Sequence, residues 1–307
     1  NVEDFAQGKV RIFETKIQPG SQLADIPLKD LRLPQDVLAG LIFRNNRMII
    51  PHGDDYLLPN DNTFFVGASG EIEKFSKHFV GTGIKAPERV MIIGAGRTGR
   101  TLAKMLDKQG VQVKVIEKDA ERSRMVAERI EEGIVVRGDG TDIDLLTQEG
   151  VGEADVVICL TADDKLNLML ALLAKHLGAS RTIVRVARIE YVELMEKVGV
   201  DIVLSSRLLA AGEILAFARR GGVVSVALLE GAKAEAMEVI VQKGSYVENK
   251  KLMDLQLPKE CLICAFVRDD EAFVPTGQSS LQAGDRAILF IRMEFANKVM
   301  KYFAGKA

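Results

Sequence analysis

Hydrophobic positions along the chain follow one pattern, give way to a second and then return to the first, and those two changes set out its organisation. Over residues 10–17 apolar and polar positions alternate, the pattern of a half-buried strand. A short polar segment follows and ends at Leu33-Pro34, where the proline pushes the preceding residue out of the helical region. Two apolar runs then flank Arg44-Asn45-Asn46-Arg47, and because asparagine tolerates positive φ the pair reads as a hairpin. A strand over 64–67 leads into an amphipathic helix over 71–80. The same succession returns near the end, with a strand at 235–241, a hairpin around Arg268-Asp269-Asp270-Glu271, a strand at 287–291 and a helix at 294–303. Between the two, strand-like runs at 89–93, 111–116, 134–136, 155–160, 182–186 and 202–204 alternate with helical stretches at 98–108, 120–131, 142–149, 163–177, 190–198 and 206–219. Strands alternating with helices predict parallel βαβ units joined by right-handed crossovers.

The outer patterns are a repeat. An offset of 224 residues carries Gly20-Ser21 onto Gly244-Ser245, Leu33-Pro34 onto Leu257-Pro258, Arg44 onto Arg268 and Asp61 onto Asp285. It also carries Pro51, Gly53, Leu57, Phe79 and Gly81 onto identical residues, with no gap. A constant offset across so many matches is far harder to reach by chance than any one of them. Three parts follow: a small α+β unit at 1–84, an α/β unit at 85–222 and a second small α+β unit at 223–307. The stretch Ala218-Arg219-Arg220-Gly221-Gly222 is the clearest hinge. A period of 224 predicts another large unit before the first small one, so a chain beginning Asn1-Val2-Glu3-Asp4 reads as a fragment of a longer protein.

Composition narrows the function classes. Of 307 residues, 47% are apolar and 27% charged, which suits a globular protein and excludes a disordered one. The net charge of -2 supplies no general basic field to attract nucleic acid. Three cysteines are too few for a disulfide scaffold and point to a reducing compartment. No apolar run approaches the length of a membrane-spanning helix.

Candidate chemistry concentrates in the middle unit. Gly94-Ala95-Gly96-Arg97-Thr98-Gly99 follows a strand and opens a helix, the context that turns a weak glycine triplet into a dinucleotide-binding turn. In this reading Gly94 makes the tight turn, Gly96 lets backbone approach a pyrophosphate and Gly99 allows close packing of helix on strand. The helix start offers free N–H groups and partial positive charge to the anion. Glu117, 23 residues beyond Gly94, ends the second strand, where its carboxylate can accept from a ribose diol and repel a 2′-phosphate. NAD(H) or an adenine nucleotide is therefore expected rather than NADP(H). At the same carboxyl edge lie Asp139, a ligand contact or a helix cap, and Thr141, favoured as a cap. Thr161 and Ala162 are small enough to admit a ring, Asp163 reads as a cap, and Arg185 in the fifth strand suits either a phosphate or a salt bridge.

A nicotinamide-dependent oxidoreductase is the rival reading, and it needs a proton donor near the hydride acceptor. The three histidines fit poorly: His52 and His78 fall where the other repeat has Thr276 and Tyr302, and His176 reads as solvent-facing. The pairs Tyr246/Lys250 and Tyr302/Lys306 fall in a small unit, as coincidences of spacing. Cys261-Leu262-Ile263-Cys264 lies in a strand-like run, so its cysteines point to opposite faces and burial is the expected role. The helix over 206–219 is apolar on nearly all sides and is either buried or packed on another subunit.

Taken together, these stretches resemble the RCK/KTN family of cytosolic regulators of potassium channels and transporters. The resemblance rests on residues 90–99, Glu117-Lys118-Asp119, Gly138-Asp139-Gly140-Thr141-Asp142, residues 155–164, Val200-Asp201-Ile202-Val203-Leu204-Ser205 and the repeated small units, and it covers essentially the whole chain. It implies a Rossmann-like, doubly wound parallel sheet flanked by two small α+β domains, matching members with tandem copies of both. It also implies a non-catalytic role: binding NAD(H), or ATP or ADP, and passing a conformational change to a membrane potassium-translocating subunit. Carried over, Gly94, Gly96, Arg97, Thr98 and Gly99 would hold phosphates, and Glu117 the ribose. Asp139, Thr161 and Arg185 would line the pocket, and Ala95, Lys118, Gly140 and Ala162 complete the expected cofactor-binding set. The family further implies a homo-oligomer, peripheral to the cytoplasmic face of the membrane through its partner.

Overall fold

The structure, a computed structural model, describes residues 2–34, 36–45, 47–79, 87–219 and 222–305. The chain forms two compact units, one of residues 1–84 with 208–307 and the other of residues 85–207. The expectations that involve Asn46, Val80, Gly81, Arg220, Gly221 and Lys306 lie outside the described residues.

The first repeat begins with β1 (Val2–Phe5), β2 (Val10–Lys16), β3 (Val37–Arg44), β4 (Arg47–Ile49) and β5 (Asn62–Ala68), followed by α1 (Ser69–Phe79). These strands make an antiparallel sheet in the order β1-β2-β5-β3-β4. Alternation sorts its side chains. Val10, Ile12, Phe64 and Val66 face one core, while Phe13 and Phe65 face another that Ile72 and Phe75 of α1 close. Burying both faces is why β5 reads as an apolar run rather than an alternating one.

The middle unit contains β6 (Arg89–Ile93), α2 (Arg97–Lys108), β7 (Gln112–Glu117), α3 (Ala120–Ala127), β8 (Ile134–Arg137) and α4 (Ile143–Gln148). It continues with β9 (Val156–Cys159), α5 (Asp164–His176), β10 (Thr182–Val186), α6 (Val192–Val198) and β11 (Ile202–Ser205). All six strands are parallel, in the order β11-β10-β9-β6-β7-β8. This is the doubly wound arrangement whose strand order reverses between β6 and β9, and ligands bind such sheets beyond the carboxyl ends of the strands at that reversal.

After α7 (Ser206–Ala218) the second repeat gives β12 (Val223–Leu229), β13 (Ala234–Ile240), β14 (Cys261–Arg268), β15 (Glu271–Phe273), β16 (Arg286–Arg292) and α8 (Ala296–Phe303). Their order, β12-β13-β16-β14-β15, reproduces the first sheet. The repeat extends to defects. A bulge between Ala39 and Leu41 recurs between Ile263 and Ala265, and Arg44 pairs with Asp61 at 2.7 Å as Arg268 does with Asp285 at 2.6 Å. Each arginine also donates to a loop carbonyl, of Tyr56 or Ser280, and each aspartate also accepts a backbone N–H, from Leu58 or Gln282. The identities at this offset therefore record one loop clamp built twice.

The two sheets share a core through the faces that carry no helix. Phe64 meets Phe290 edge to face at 6.3 Å, and Ile12, Leu41, Ala236, Ala265 and Ile288 join them. A Cβ on Gly40 would come within 2.7 Å of the Phe290 ring. The bulge that flips residue parity at Gly40 thus also supplies the clearance for this packing.

Some expectations are corrected. The strands β1 and β12 were not anticipated: three of the four β1 residues are exposed, and only Leu229 of β12 is buried, so neither shows a core-facing pattern. The helix expected over 120–131 stops at Ala127, because the Asp107 carboxylate draws in the N–H groups of Glu131, Glu132 and Gly133. Of the two alternatives for α7, burial is not the one found: among the described residues it buries only Gly212, while Leu209, Ile214 and Phe217 are exposed.

Candidate functional site

At the reversal point the end of β6 turns sharply. Gly94 has φ +105°, its N–H donates to the Ile116 carbonyl, and a Cβ there would lie 3.0 Å from the Leu160–Thr161 peptide. Gly96 then precedes the first turn of α2 with no side-chain cap, and the first bond back into the loop is Arg100 N–H to Gly96 O. The first-turn N–H groups are therefore left without a capping side chain at the end of the helix that favours anions. A Cβ on Gly96 would meet nothing within 4 Å, whereas one on Gly99 would overlap the carbonyl oxygen of Gly94. One glycine opens space above the loop, and the other lets helix and strand close.

Below the loop, Glu117 is buried at 6% exposure. Its Oε2 accepts the Ala95 N–H at 2.6 Å and its Oε1 accepts the Asp119 N–H at 2.9 Å. The carboxylate therefore binds the glycine loop to the end of β7 while still lining the cavity above. Each oxygen keeps a lone pair, since a carboxylate accepts about four hydrogen bonds.

That cavity has a volume of about 580 Å³, within the usual range for small-molecule sites. Gly94, Gly96, Arg97, Thr98, Glu117, Lys118, Asp139, Gly140, Thr161, Ala162 and Arg185 all line it. Ala95 and Gly99 do not: Ala95 is 1% exposed and turns its N–H to Glu117, and Gly99 packs on Gly94. Sequence reasoning missed Arg122, on the first turn of α3, and the apolar floor of Ile93, Ile116, Leu160, Leu166 and Leu170. The helix that begins just after Glu117 offered a signal for Arg122, since its first turn shares the edge with the acid.

Asp139 is no helix cap. Its Oδ1 accepts both the N–H and the hydroxyl of Thr141, and these bonds hold its carboxyl below the ordinary value of 3.8, with Lys118 adding a smaller attraction. Thr141 does not cap α4 either; Asp142 does, accepting from Asp144 and Leu145 N–H. Asp163 caps α5 as expected, accepting from Lys165 and Leu166 N–H.

Fully buried Asn167 was also missed, and it fixes the β9 edge. Its Oδ1 accepts the Thr161 N–H at 2.9 Å and hydroxyl at 2.6 Å, and its Nδ2 donates to the carbonyls of Thr161 and Arg185. Arg185 resolves the salt-bridge alternative. Among the described residues it forms no ion pair; one terminal nitrogen lies 3.5 Å from the Thr161 carbonyl, and its buried Nε has no hydrogen-bond partner.

The motifs of the oxidoreductase reading lie elsewhere. No histidine, tyrosine or cysteine lines the cavity. His52, His78 and His176 are exposed, and Lys250 sits 3.6 Å from the centre of the Tyr246 ring. Cys261 and Cys264 face different cores, as the strand period requires, and burial raises both thiols, Cys261 to about 12. Among the described residues there is no cluster of three or more His, Cys, Asp or Glu placed for a metal, and no helix long and apolar enough to cross a membrane.

Comparison with known proteins places these features in one family. The TrkA-N domain model matches residues 90–206, and the TrkA-C domain model matches 12–80 and 236–304, reproducing the 224-residue offset. The Trk system potassium uptake protein TrkA homolog 1 of Methanosarcina mazei is 36% identical over 304 residues, covering 99% of this chain and 68% of that protein. TrkA of Vibrio alginolyticus is 33% identical, covering 94% of this chain and 64% of that protein. Among solved structures, a GsuK channel bound to NAD aligns at TM-score 0.50 and 21% identity, over 98% of this chain and 54% of that one, a likeness of fold. The chain thus spans about two thirds of these TrkA proteins and about half of the GsuK chain.

Proposed function

Because the chain belongs to the TrkA family, we propose that it is a cytosolic regulatory component of a potassium transport system, binding NAD(H) or an adenine nucleotide and gating a membrane potassium-translocating partner. The observation that carries this reading is the cavity at the strand-order reversal, where an uncapped helix start, an acid ending the second strand and an unpaired arginine line one space. The residues fit a nucleotide in three ways. The open space at Gly96 admits a pyrophosphate beside the N–H groups of Arg97 and Thr98. Glu117 retains lone pairs for a ribose diol, and the apolar floor suits a ring. Lys118 and Arg122 add positive charge at the ribose end, and Asp139, Thr161 and Ala162 border the rest.

The nucleotide acts here as a signal. A hydride-transfer site needs a positioned acid or base, and the carboxylates that line the cavity are already engaged: Glu117 by the Ala95 and Asp119 N–H groups, Asp139 by Thr141, and Asp163 as the cap of α5. Binding shifts the protein between two states only by its difference in affinity for them, and that difference is what a transporter partner reads. Relatives named as potassium uptake proteins support the partner. The exposed apolar residues Leu209, Ile214 and Phe217 of α7 support assembly with further copies of the chain.

Calorimetric titration with NADH, NAD+, ATP and ADP, alongside absorbance assays for NADH consumption, tests the reading. Saturable binding without turnover is expected. Failure of all four to bind, or steady oxidation of NADH, would overturn it.

A further inference from the structure

Resting on that reading, we propose that Arg185 is a specificity-determining residue that reads the charge of the ligand's distal half, so that the site favours NADH over NAD+. Glu117, at the end of β7, marks the adenosine ribose, and the start of α2 after β6 marks the pyrophosphate. A dinucleotide laid across the reversal therefore runs its second half over β9 and β10. Val184 pairs with Cys159 in the parallel ladder, which sets Arg185 beside Leu160 at the carboxyl edge, and both residues line the cavity. From β7 to β10 is three strand spacings, about 14 Å, a span of the order of two nucleosides joined by a pyrophosphate.

The charge on Arg185 is uncompensated. Asn167 holds the Arg185 backbone carbonyl at 3.0 Å, while the guanidinium has no carboxylate partner among the described residues and a buried Nε without an acceptor. The nearby acids are engaged: Asp163 caps α5, and Asp164 accepts the N–H groups of Ala187 and Arg188. A half-buried cation kept this way costs free energy that a ligand acceptor returns. Oxidised nicotinamide brings its own positive ring to this end and is repelled. The reduced ring is neutral, and its carboxamide and ribose oxygens are acceptors for the guanidinium.

The test is titration calorimetry of the whole chain, as wild type, Arg185→Lys and Arg185→Gln, with NADH, NAD+ and AMP. AMP ends before Arg185 and serves as the control for the adenosine end. The wild type is expected to bind NADH roughly fivefold to thirtyfold more tightly than NAD+, the range for two unit charges about 8 Å apart at an effective dielectric of about 20 to 40. Arg185→Lys keeps that preference and Arg185→Gln brings the ratio near one, while AMP affinity stays unchanged in both. Equal affinity of the wild type for NADH and NAD+ overturns the inference and leaves the proposed function standing. So does a parallel loss of all three ligands in both variants, the mark of a merely structural residue. Absence of any binding overturns both.

Discussion

Replacing Glu117 by glutamine changes one atom of a side chain that both holds the glycine loop and lines the cavity. The two carboxylate oxygens accept N–H groups of Ala95 and Asp119 at 2.6 and 2.9 Å, in a site 6% exposed. Glutamine has one carbonyl oxygen and one NH2, so in either orientation a donor faces a backbone donor. An unsatisfied buried N–H costs about 1–3 kcal/mol, and the surviving bond loses its charge assistance. Local opening at the loop should therefore become roughly 5 to 150 times more frequent, read as faster hydrogen exchange of the Ala95 or Asp119 amide in the ligand-free protein. NADH affinity should fall by about tenfold or more, since the ribose loses a charged acceptor and the loop its anchor. Unchanged exchange at both amides would show that the carboxylate does not hold the loop. Unchanged affinity would remove Glu117 from the site.

Three further outcomes follow from the geometry. Gly96→Ala should fold normally yet lose NADH binding, because its Cβ meets no protein atom but enters the ligand's space, whereas Gly99→Ala should destabilise the middle unit by forcing the Gly94 carbonyl aside; circular dichroism with calorimetry separates the two. Arg44→Ala and Arg268→Ala should each destabilise the unit they share by about 3–5 kcal/mol in urea unfolding, through the charge left on Asp61 or Asp285, both at most 3% exposed; unequal costs would deny that the repeated clamps do the same work. Thr141→Val should raise the Asp139 carboxyl toward its ordinary value of 3.8 by NMR titration; because that group is depressed in the folded protein, its stabilising effect is complete well above pH 4 and fades as pH falls through the native value.

The sequence disclosed the architecture where one physical constraint repeats. Alternation, the 224-residue offset and the βαβ rhythm located the six parallel strands and both inner sheets, because burying both faces leaves a strong apolar signal at β5 and β16. The strands β1 and β12 left little trace, since their registers depend on backbone pairing with β2 and β13 more than on burial. At the site, the glycine loop and Glu117 were legible because each residue type is forced by a turn, a close approach or a charge. Asn167 was not: a buried asparagine within a helix announces nothing until tertiary contacts supply its four hydrogen bonds. Arg122 was hidden by its ordinary place among the charged residues of α3, and only the cavity shows which side of that helix start it occupies.

The central claim is most directly tested by a crystal structure of the chain grown with saturating NADH. The account predicts the pyrophosphate against the start of α2 at Gly96, Arg97 and Thr98, one ribose on Glu117 and the nicotinamide half toward Arg185. Density for NADH at any other place, or an empty cavity at saturation, would contradict it.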